Sequence, residues 1–319
     1  MVQLASAMDK YESAKALANR SEKTLQQYEY VLNGFGEYLG RNPDIEEITA
    51  GHVRRYLQHL RDRDLAITTV AIHHRVLRAF FNWLVDEGDL EESPMANVAP
   101  PKTPNKFPRI LKQEQVDQLL ESEKERTDCW AGMRNYALLV VLIDMGLRRS
   151  ELIEARLENL DLENHTLKVN GKGAKDRQVY FGKKTQRALK KWLHVREDIT
   201  SEVVTNTIFI GMNGEKLKER NVNRILTRLS KRAGLEDVQV SPHVLRHTSA
   251  TMAVENGMDG FSLRKQFGWE QMETAQRYVH MSGKRLEKAF ERTSPMDNRE
   301  DDKQKTQERN NRGEWVDKS

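Results

Sequence analysis

Gly146-Leu147-Arg148-Arg149-Ser150-Glu151-Leu152, Gly171-Lys172-Gly173, His243-Val244-Leu245-Arg246-His247, Gly268-Trp269 and Tyr278 follow one another along this chain. Arg148 and Arg246 each carry a planar fork of donors that spans two oxygens of a phosphate, which a lysine cannot do. His243 exchanges a proton near neutral pH, and Trp269 offers one N–H that never titrates. Tyr278 is a phenol with an ordinary pKa of about 10, so it becomes a nucleophile only beside cations and a proton acceptor. With Lys172 these are the groups needed to cut a phosphodiester without a metal. The tyrosine stores the bond as an ester, and the cations hold a phosphate whose charge grows at the transition state.

Each piece has a plainer reading when taken alone. Arg148 can pair with Glu151, a single histidine is more often structural than catalytic, and Tyr278 suits a half-buried place on a last amphipathic helix. Order and number weigh against those readings. His243, Arg246 and His247 fall at i, i+3 and i+4, one helical face, directly after a Ser241-Pro242 helix start. Within that face His247 reads as structural support, and Glu151 reads as a residue that orients the site without reacting. Tyr28, Tyr30, Tyr38, Tyr56, Tyr136 and Tyr180 lack the position downstream of both arginines. A histidine–zinc site does not fit, because no third and fourth ligand lie at usable spacing.

In this order and spacing the residues resemble the tyrosine recombinase (phage integrase) family, and its compact Xer-like and Cre-like members in particular. The resemblance spans roughly residues 15–292, with specific motifs only in the C-terminal part. It implies Arg148, Lys172, His243, Arg246, Trp269 and Tyr278 as catalytic residues. Lys172, on a glycine-flanked β-turn, would protonate the departing 5′ oxygen, with Lys175 as its rival for that role. Trp269 stands where many relatives have histidine, which argues against proton transfer at that position. Met145 and Arg149 also depart from the usual pattern, and neither removes a catalytic group. The activity implied is site-specific recombination through a 3′-phosphotyrosine and a Holliday junction, either in chromosome or plasmid dimer resolution or in mobile-element integration and excision. The partner the resemblance implies is double-stranded DNA with paired half-sites. The assembly it implies is a homo-tetramer, or a hetero-tetramer with a paralogue, on two duplexes, and Leu286, Ala289 and Phe290 would be the face of a helix that docks into a neighbour. No ATP, metal or other cofactor is implied. The alternatives are DNA relaxation of the type IB topoisomerase kind, and a catalytically inactive DNA-binding protein.

The elements that must position these residues are legible too. The chain has 319 residues, enough for two domains, with 31% charged residues and a formal net charge of only +4. That balance suits a DNA partner only if the positive charge is clustered. A single cysteine, Cys129, excludes an internal disulfide framework, and with no secretory signal or long apolar run the expectation is a cytoplasmic protein without membrane contact. Five of the eight prolines lie between Pro94 and Pro108, an extended linker. The expected domains are therefore a helical one at 1–103 with its linker to about 108, a catalytic one at 109–292, and a charged, disordered tail at 293–319.

In the first domain Leu25, Tyr28, Leu32, Phe35 and Leu39 recur at helical spacing after an N-cap at Ser21. Val53, Tyr56, Leu57 and Leu60 follow Thr49, and Ile72, Val76, Leu77, Phe80, Phe81 and Leu84 make a third stripe. Arg54, Arg55, Arg61, His73, His74, Arg75 and Arg78 read as basic residues on the last two helices, for DNA or simply for solvent. In the second domain Tyr136 to Met145 is apolar all round and predicts a buried helix, and residues 166–170 and 177–181 predict a hairpin around Lys172. Residues 218–234 predict a basic amphipathic helix with Val222, Ile225, Leu226 and Leu229 inside. The fold class expected is mainly α with a small antiparallel β-sheet. By the resemblance, that is a SAM-like core-binding domain plus an α+β catalytic domain of the DNA breaking-rejoining type.

Overall fold

The computed structural model of the chain describes residues 2–281 except 19, 105–107, 125, 127–128, 171–175, 200–204 and 212, together with 307–309 and 315–317. The fold is mainly helical with a small antiparallel sheet, as expected. It divides into two compact units, residues 1–106 and 107–319. No helix among the described residues is long and apolar enough to cross a membrane.

The first unit packs four helices around one core: α1 (Leu4–Leu17), α2 (Glu22–Leu39), α3 (Ala50–Asp62) and α4 (Ile67–Asp86). The Ser21 side chain accepts a hydrogen bond from the Thr24 amide and starts α2, and Gly40 in the left-handed region stops it. The apolar stripes supply the buried side chains, among them Leu32, Phe35, Val53, Tyr56, Leu77, Phe80 and Phe81. α1 is not anticipated by the sequence reading. Its buried positions Leu4, Ala7, Met8 and Tyr11 keep helical spacing, but Ala7 is too small to register in an apolar stripe. His73 and His74 are not solvated helix-face cations. Both are buried: His73 Nδ1 lies 2.9 Å from the Tyr56 hydroxyl, and His74 Nε2 lies 2.9 Å from the Val98 carbonyl oxygen. Burial lowers the pKa of His73, so that ring stays neutral.

The second unit is built on α6 (Trp130–Met145), whose Leu138, Leu139, Val140, Val141 and Leu142 are all buried. Around it lie α5 (Gln113–Lys124), α7 (Arg149–Glu154), α8 (Lys183–Glu197), α9 (Glu219–Arg232), α10 (Pro242–Glu255), α11 (Gly260–Phe267) and α12 (Met272–Met281). A three-stranded sheet runs in the order β1 (Leu160–Asp161), β2 (Thr166–Asn170), β3 (Asp176–Tyr180), antiparallel throughout. β2 and β3 pair from Thr166 with Tyr180 to Asn170 with Asp176, so the predicted hairpin is present. α9 turns Val222, Ile225, Leu226 and Leu229 inward, and its Arg232 pairs with the buried Glu123 of α5. Near the C-terminus, β4 (Gln307–Arg309) pairs antiparallel with β5 (Trp315–Asp317). The composition there predicts disorder, and the structure differs at these six residues, where Trp315-Val316 supplies β-forming side chains. Residues 286, 289 and 290 of the expected docking helix lie outside the described residues.

Candidate active site

α6 and α11 both end at a glycine in the left-handed region, Gly146 at φ +59° and Gly268 at φ +60°. At these two ends the backbone turns carbonyl oxygens toward the arginines. Arg246 Nη1 donates to the Gly146 carbonyl at 2.6 Å, and its Nη2 donates to the Phe267 carbonyl. Arg148 Nη2 donates to the Gly268 carbonyl at 2.8 Å. The two guanidiniums are thus fixed by backbone of elements that the fold already holds rigid.

Glu151, in the first turn of α7, is the centre of the arrangement. Its Oε1 accepts from Arg148 Nη1 at 2.7 Å and Arg177 Nη1 at 2.6 Å. Its Oε2 accepts from the Arg148 amide at 2.7 Å and Arg177 Nη2 at 2.9 Å, with Arg246 Nη1 at 3.9 Å. Burial alone would raise this carboxyl's pKa, but the hydrogen bonds and charge of Arg177 and the bonds from Arg148 hold it below the usual carboxylate range. A buried carboxylate is tolerable here because its lone pairs are filled by charged donors. Arg148 remains 37% exposed, while Arg246 is only 6% exposed, so Arg148 is the more open of the two.

Tyr278 on α12 is buried. Its ring stacks on Trp269 with centroids 5.0 Å apart and planes 4° apart, and Trp269 stacks in turn on Phe267 at 5.0 Å. Arg246 Cζ lies 5.2 Å from the Phe267 ring centre and 5.7 Å from that of Trp269. Trp269 is therefore a spacer that sets where the phenol stands relative to the arginine, through stacking on one side and a cation–π contact on the other. The Tyr278 hydroxyl meets His247 Nδ1, and His247 Nε2 lies 2.8 Å from His243 Nε2. When His247 carries its proton on Nε2, the phenol donates to Nδ1 and the Nε2 proton points at His243.

The charge states follow from these surroundings. Burial pushes Tyr278 up to about 12 against the opposing pull of Arg246 and Arg277. Burial, then His243 and Arg246, press His247 down to about 4, and His243 is lowered by burial and Arg246. Arg246 is lowered to about 9 by burial and the neighbouring Arg148, and it stays cationic at neutral pH. At neutral pH the site holds a neutral phenol, two neutral imidazoles and a fixed cationic cluster. That combination attracts a phosphate and leaves room for a proton to move.

Of the residues singled out in the sequence, Arg148, His243, Arg246, Trp269 and Tyr278 come together, and the first four line a cleft of about 630 Å³. Lys172 and its rival Lys175 lie outside the described residues, in the segment 171–175 that joins β2 to β3. His247, read from the sequence as support, is the residue that touches the Tyr278 hydroxyl. Arg177 was not singled out. Its signal is the two-residue period of β3, which puts it on the same face as the buried Val179, where a cation needs an acidic partner. Gln266 gives no such signal. Its amide continues the sheet edge, accepting from the Tyr180 amide at 3.0 Å and donating to the Tyr180 carbonyl at 2.8 Å.

Residues 109–285 match the phage integrase family, and residues 11–88 match the phage integrase N-terminal SAM-like domain. Tyrosine recombinase XerC of Corynebacterium glutamicum is 31% identical over 284 residues, 89% of this chain and 90% of that protein. Tyrosine recombinase XerC of Oceanobacillus iheyensis is 33% identical, over 88% of this chain and 92% of that protein. Among solved structures, the Tn1549 transposon integrase in complex with transposon right end DNA has the same fold, with a TM-score of 0.74 at 18% identity over 92% of this chain and 100% of that one. XerH site-specific recombinase bound to palindromic difH substrate gives a TM-score of 0.71 at 22% identity, over 88% of this chain and 82% of that one.

Proposed function

This chain belongs to the phage integrase family, and from that premise we propose that it is a site-specific DNA recombinase that cuts and rejoins duplex DNA through a 3′-phosphotyrosine on Tyr278. The observation that carries the reading is the contact of the buried Tyr278 hydroxyl with His247, under the charge of Arg246 and one stacked ring away from it.

A scissile phosphate in the cleft accepts hydrogen bonds from Arg148 and Arg246, whose remaining donors are already aimed by Gly146, Phe267, Gly268 and Glu151. Such donors need no reorganisation as negative charge grows on the phosphate oxygens, which is where electrostatic catalysis gains most. Tyr278 attacks phosphorus and its proton passes to His247 Nδ1, while the His247 Nε2 proton moves toward His243. The low proton affinity of these rings does not oppose this, because a bound phosphate anion favours the imidazolium form. Lys172 gives a proton to the 5′ oxygen as it leaves, and Trp269 donates its N–H to a phosphate oxygen. The bond energy stays in the ester, so the 5′ hydroxyl of a partner strand reverses the step without ATP. Two such exchanges on two duplexes require four nucleophiles, hence a tetramer and a Holliday junction between the exchanges.

The test uses a duplex nicked beside the scissile phosphate, so that the short 5′ product diffuses away and traps the ester. Wild type gives a protein–DNA band that resists denaturant. Tyr278→Phe binds the same duplex with unchanged affinity and gives no such band. A persistent adduct in Tyr278→Phe would move the nucleophile elsewhere.

A further inference from the structure

The bonds of Arg177 raise a question that the reaction itself leaves open. This side chain, 12% exposed, has both terminal nitrogens on Glu151 at 2.6 and 2.9 Å and its Nε on the Gln266 carbonyl at 3.3 Å. Three of its five N–H donors are engaged in this way, two of them as a bidentate pair on Glu151, so its charge is directed at the carboxylate. It reaches Glu151 by crossing Gly268, where a Cβ would stand 2.7 Å from its Nε. The same glycine supplies the carbonyl that holds Arg148. The groups facing Glu151 are Arg148 from the start of α7, Arg177 from β3 and Arg246 from α10, with no second carboxylate among the described residues within ion-pair distance of these three.

We propose that Arg177 is a positioning residue that neutralises Glu151, so that Glu151 orients Arg148 and Arg246 without withdrawing their charge from the phosphate. The inference rests on the recombinase reading given above. Three guanidiniums around one carboxylate leave two net positive charges, one for each phosphate-facing arginine. Without Arg177 the same carboxylate holds Arg148 at 2.7 Å uncompensated, and one of the two charges is cancelled where the transition state needs it. A unit charge acting over about 6 Å at an effective dielectric of about 20 is worth roughly a hundredfold in rate.

This differs from a packing role in its prediction for charge balance. Arg177→Met keeps the stem that crosses Gly268 and removes the charge. Trapped-adduct formation at pH 7.5 should fall roughly a hundredfold while duplex binding stays within about threefold. Adding Glu151→Gln restores the balance and keeps an acceptor for Arg148, so the double variant should recover at least tenfold over Arg177→Met. Acid should act in the same direction. Once burial is no longer opposed by Arg177, Glu151 takes up a proton more readily, so the rate of Arg177→Met should rise relative to wild type as pH falls from 8 to 6.

A role in packing alone predicts the reverse, with the double variant as slow as or slower than the single one and a pH profile parallel to wild type. That result overturns the proposal. Should Arg177→Met fail to fold, the comparison of Arg177→Gln with Arg177→Gln plus Glu151→Gln carries the same decision. Wild type run in parallel separates the two levels: no adduct in wild type refutes the recombinase reading, and an adduct in wild type without charge rescue refutes only the role of Arg177.

Discussion

Gly146→Ala tests whether the ends of α6 and α11 hold the arginine, as the geometry requires. A Cβ on Gly146 would stand 2.3 Å from Phe267 Cε1 and 2.8 Å from its Cζ, in a residue whose φ is +59°. Gly234, in the same unit, has φ +68° and nothing within 4 Å of its Cβ position, so Gly234→Ala carries the backbone cost alone. That shared cost is about 1–2 kcal/mol. The extra cost at Gly146 is overpacking against an aromatic ring, about 1–3 kcal/mol. For a unit of this size each kcal/mol shifts Tm by about 2–4 °C, so Gly146→Ala should melt several degrees below Gly234→Ala. The consequence for chemistry is separate. Phe267 carries Trp269 by stacking and Arg246 through its carbonyl, and Gly146 itself gives Arg246 its other acceptor. Moving that ring disturbs one or more charge-assisted hydrogen bonds worth about 1.5–3 kcal/mol each, so adduct formation well below the melting temperature should fall by roughly 10- to 100-fold. Gly234→Ala should cleave like wild type. Equal melting of the two variants, with full cleavage by both, would refute the idea that contact between these two helix ends sets the position of Arg246.

Lys172→Ala should slow cleavage severely, and a 5′-bridging sulfur at the scissile position should rescue it, since a thiolate leaves without a proton; Lys175→Ala should instead weaken binding and reduce its salt dependence. Rescue confined to the Lys175 variant would exchange the two assignments. For His247 the sign follows from its depressed pKa of about 4: the neutral ring is the proton acceptor, so activity is present above that value and lost as pH falls through it. Adduct formation at limiting DNA should therefore show no acid limb near the ordinary histidine range, and His247→Asn should lower it by about 10²–10⁴-fold. A limb near pH 6.5 in wild type, or an active Asn variant, would remove His247 from the proton path.

What the sequence made legible and what it left hidden divide along a physical line. α2, α3, α4, α6, α9 and the hairpin announce themselves because burying one face imposes a period on the chain, and that period survives in the residue types. The candidate site was legible for a second reason: Arg148 follows the end of a buried helix, and His243 with Arg246 follows a Ser-Pro start, so their places are fixed by local rules. Neither rule reaches contacts made across long separations. Arg177 meets Glu151 across 26 residues, Arg148 meets Gly268 across 120, and Arg246 meets Gly146 across 100. No periodicity encodes these partners. The contact of His247 with Tyr278 was hidden for the same reason, since its spacing from His243 says only that they share a face. It does not say that a tyrosine 31 residues later completes the row.

The buried His73 and His74 show the limit from the other side. Polar residues on a basic helix read as solvent-facing until the structure supplies Tyr56 and the Val98 carbonyl as partners. In each case what the sequence lacked was the identity of a distant hydrogen-bond partner, and a buried polar group is stable only once that partner exists. Polar residues of the candidate site and of the core are thus hidden by the same physics. What separates Arg177 and His247 from His73 and His74 is what they touch: the first two contact Glu151 and the Tyr278 hydroxyl beside the arginine cluster, and the other two contact Tyr56 and the Val98 carbonyl in a helical core.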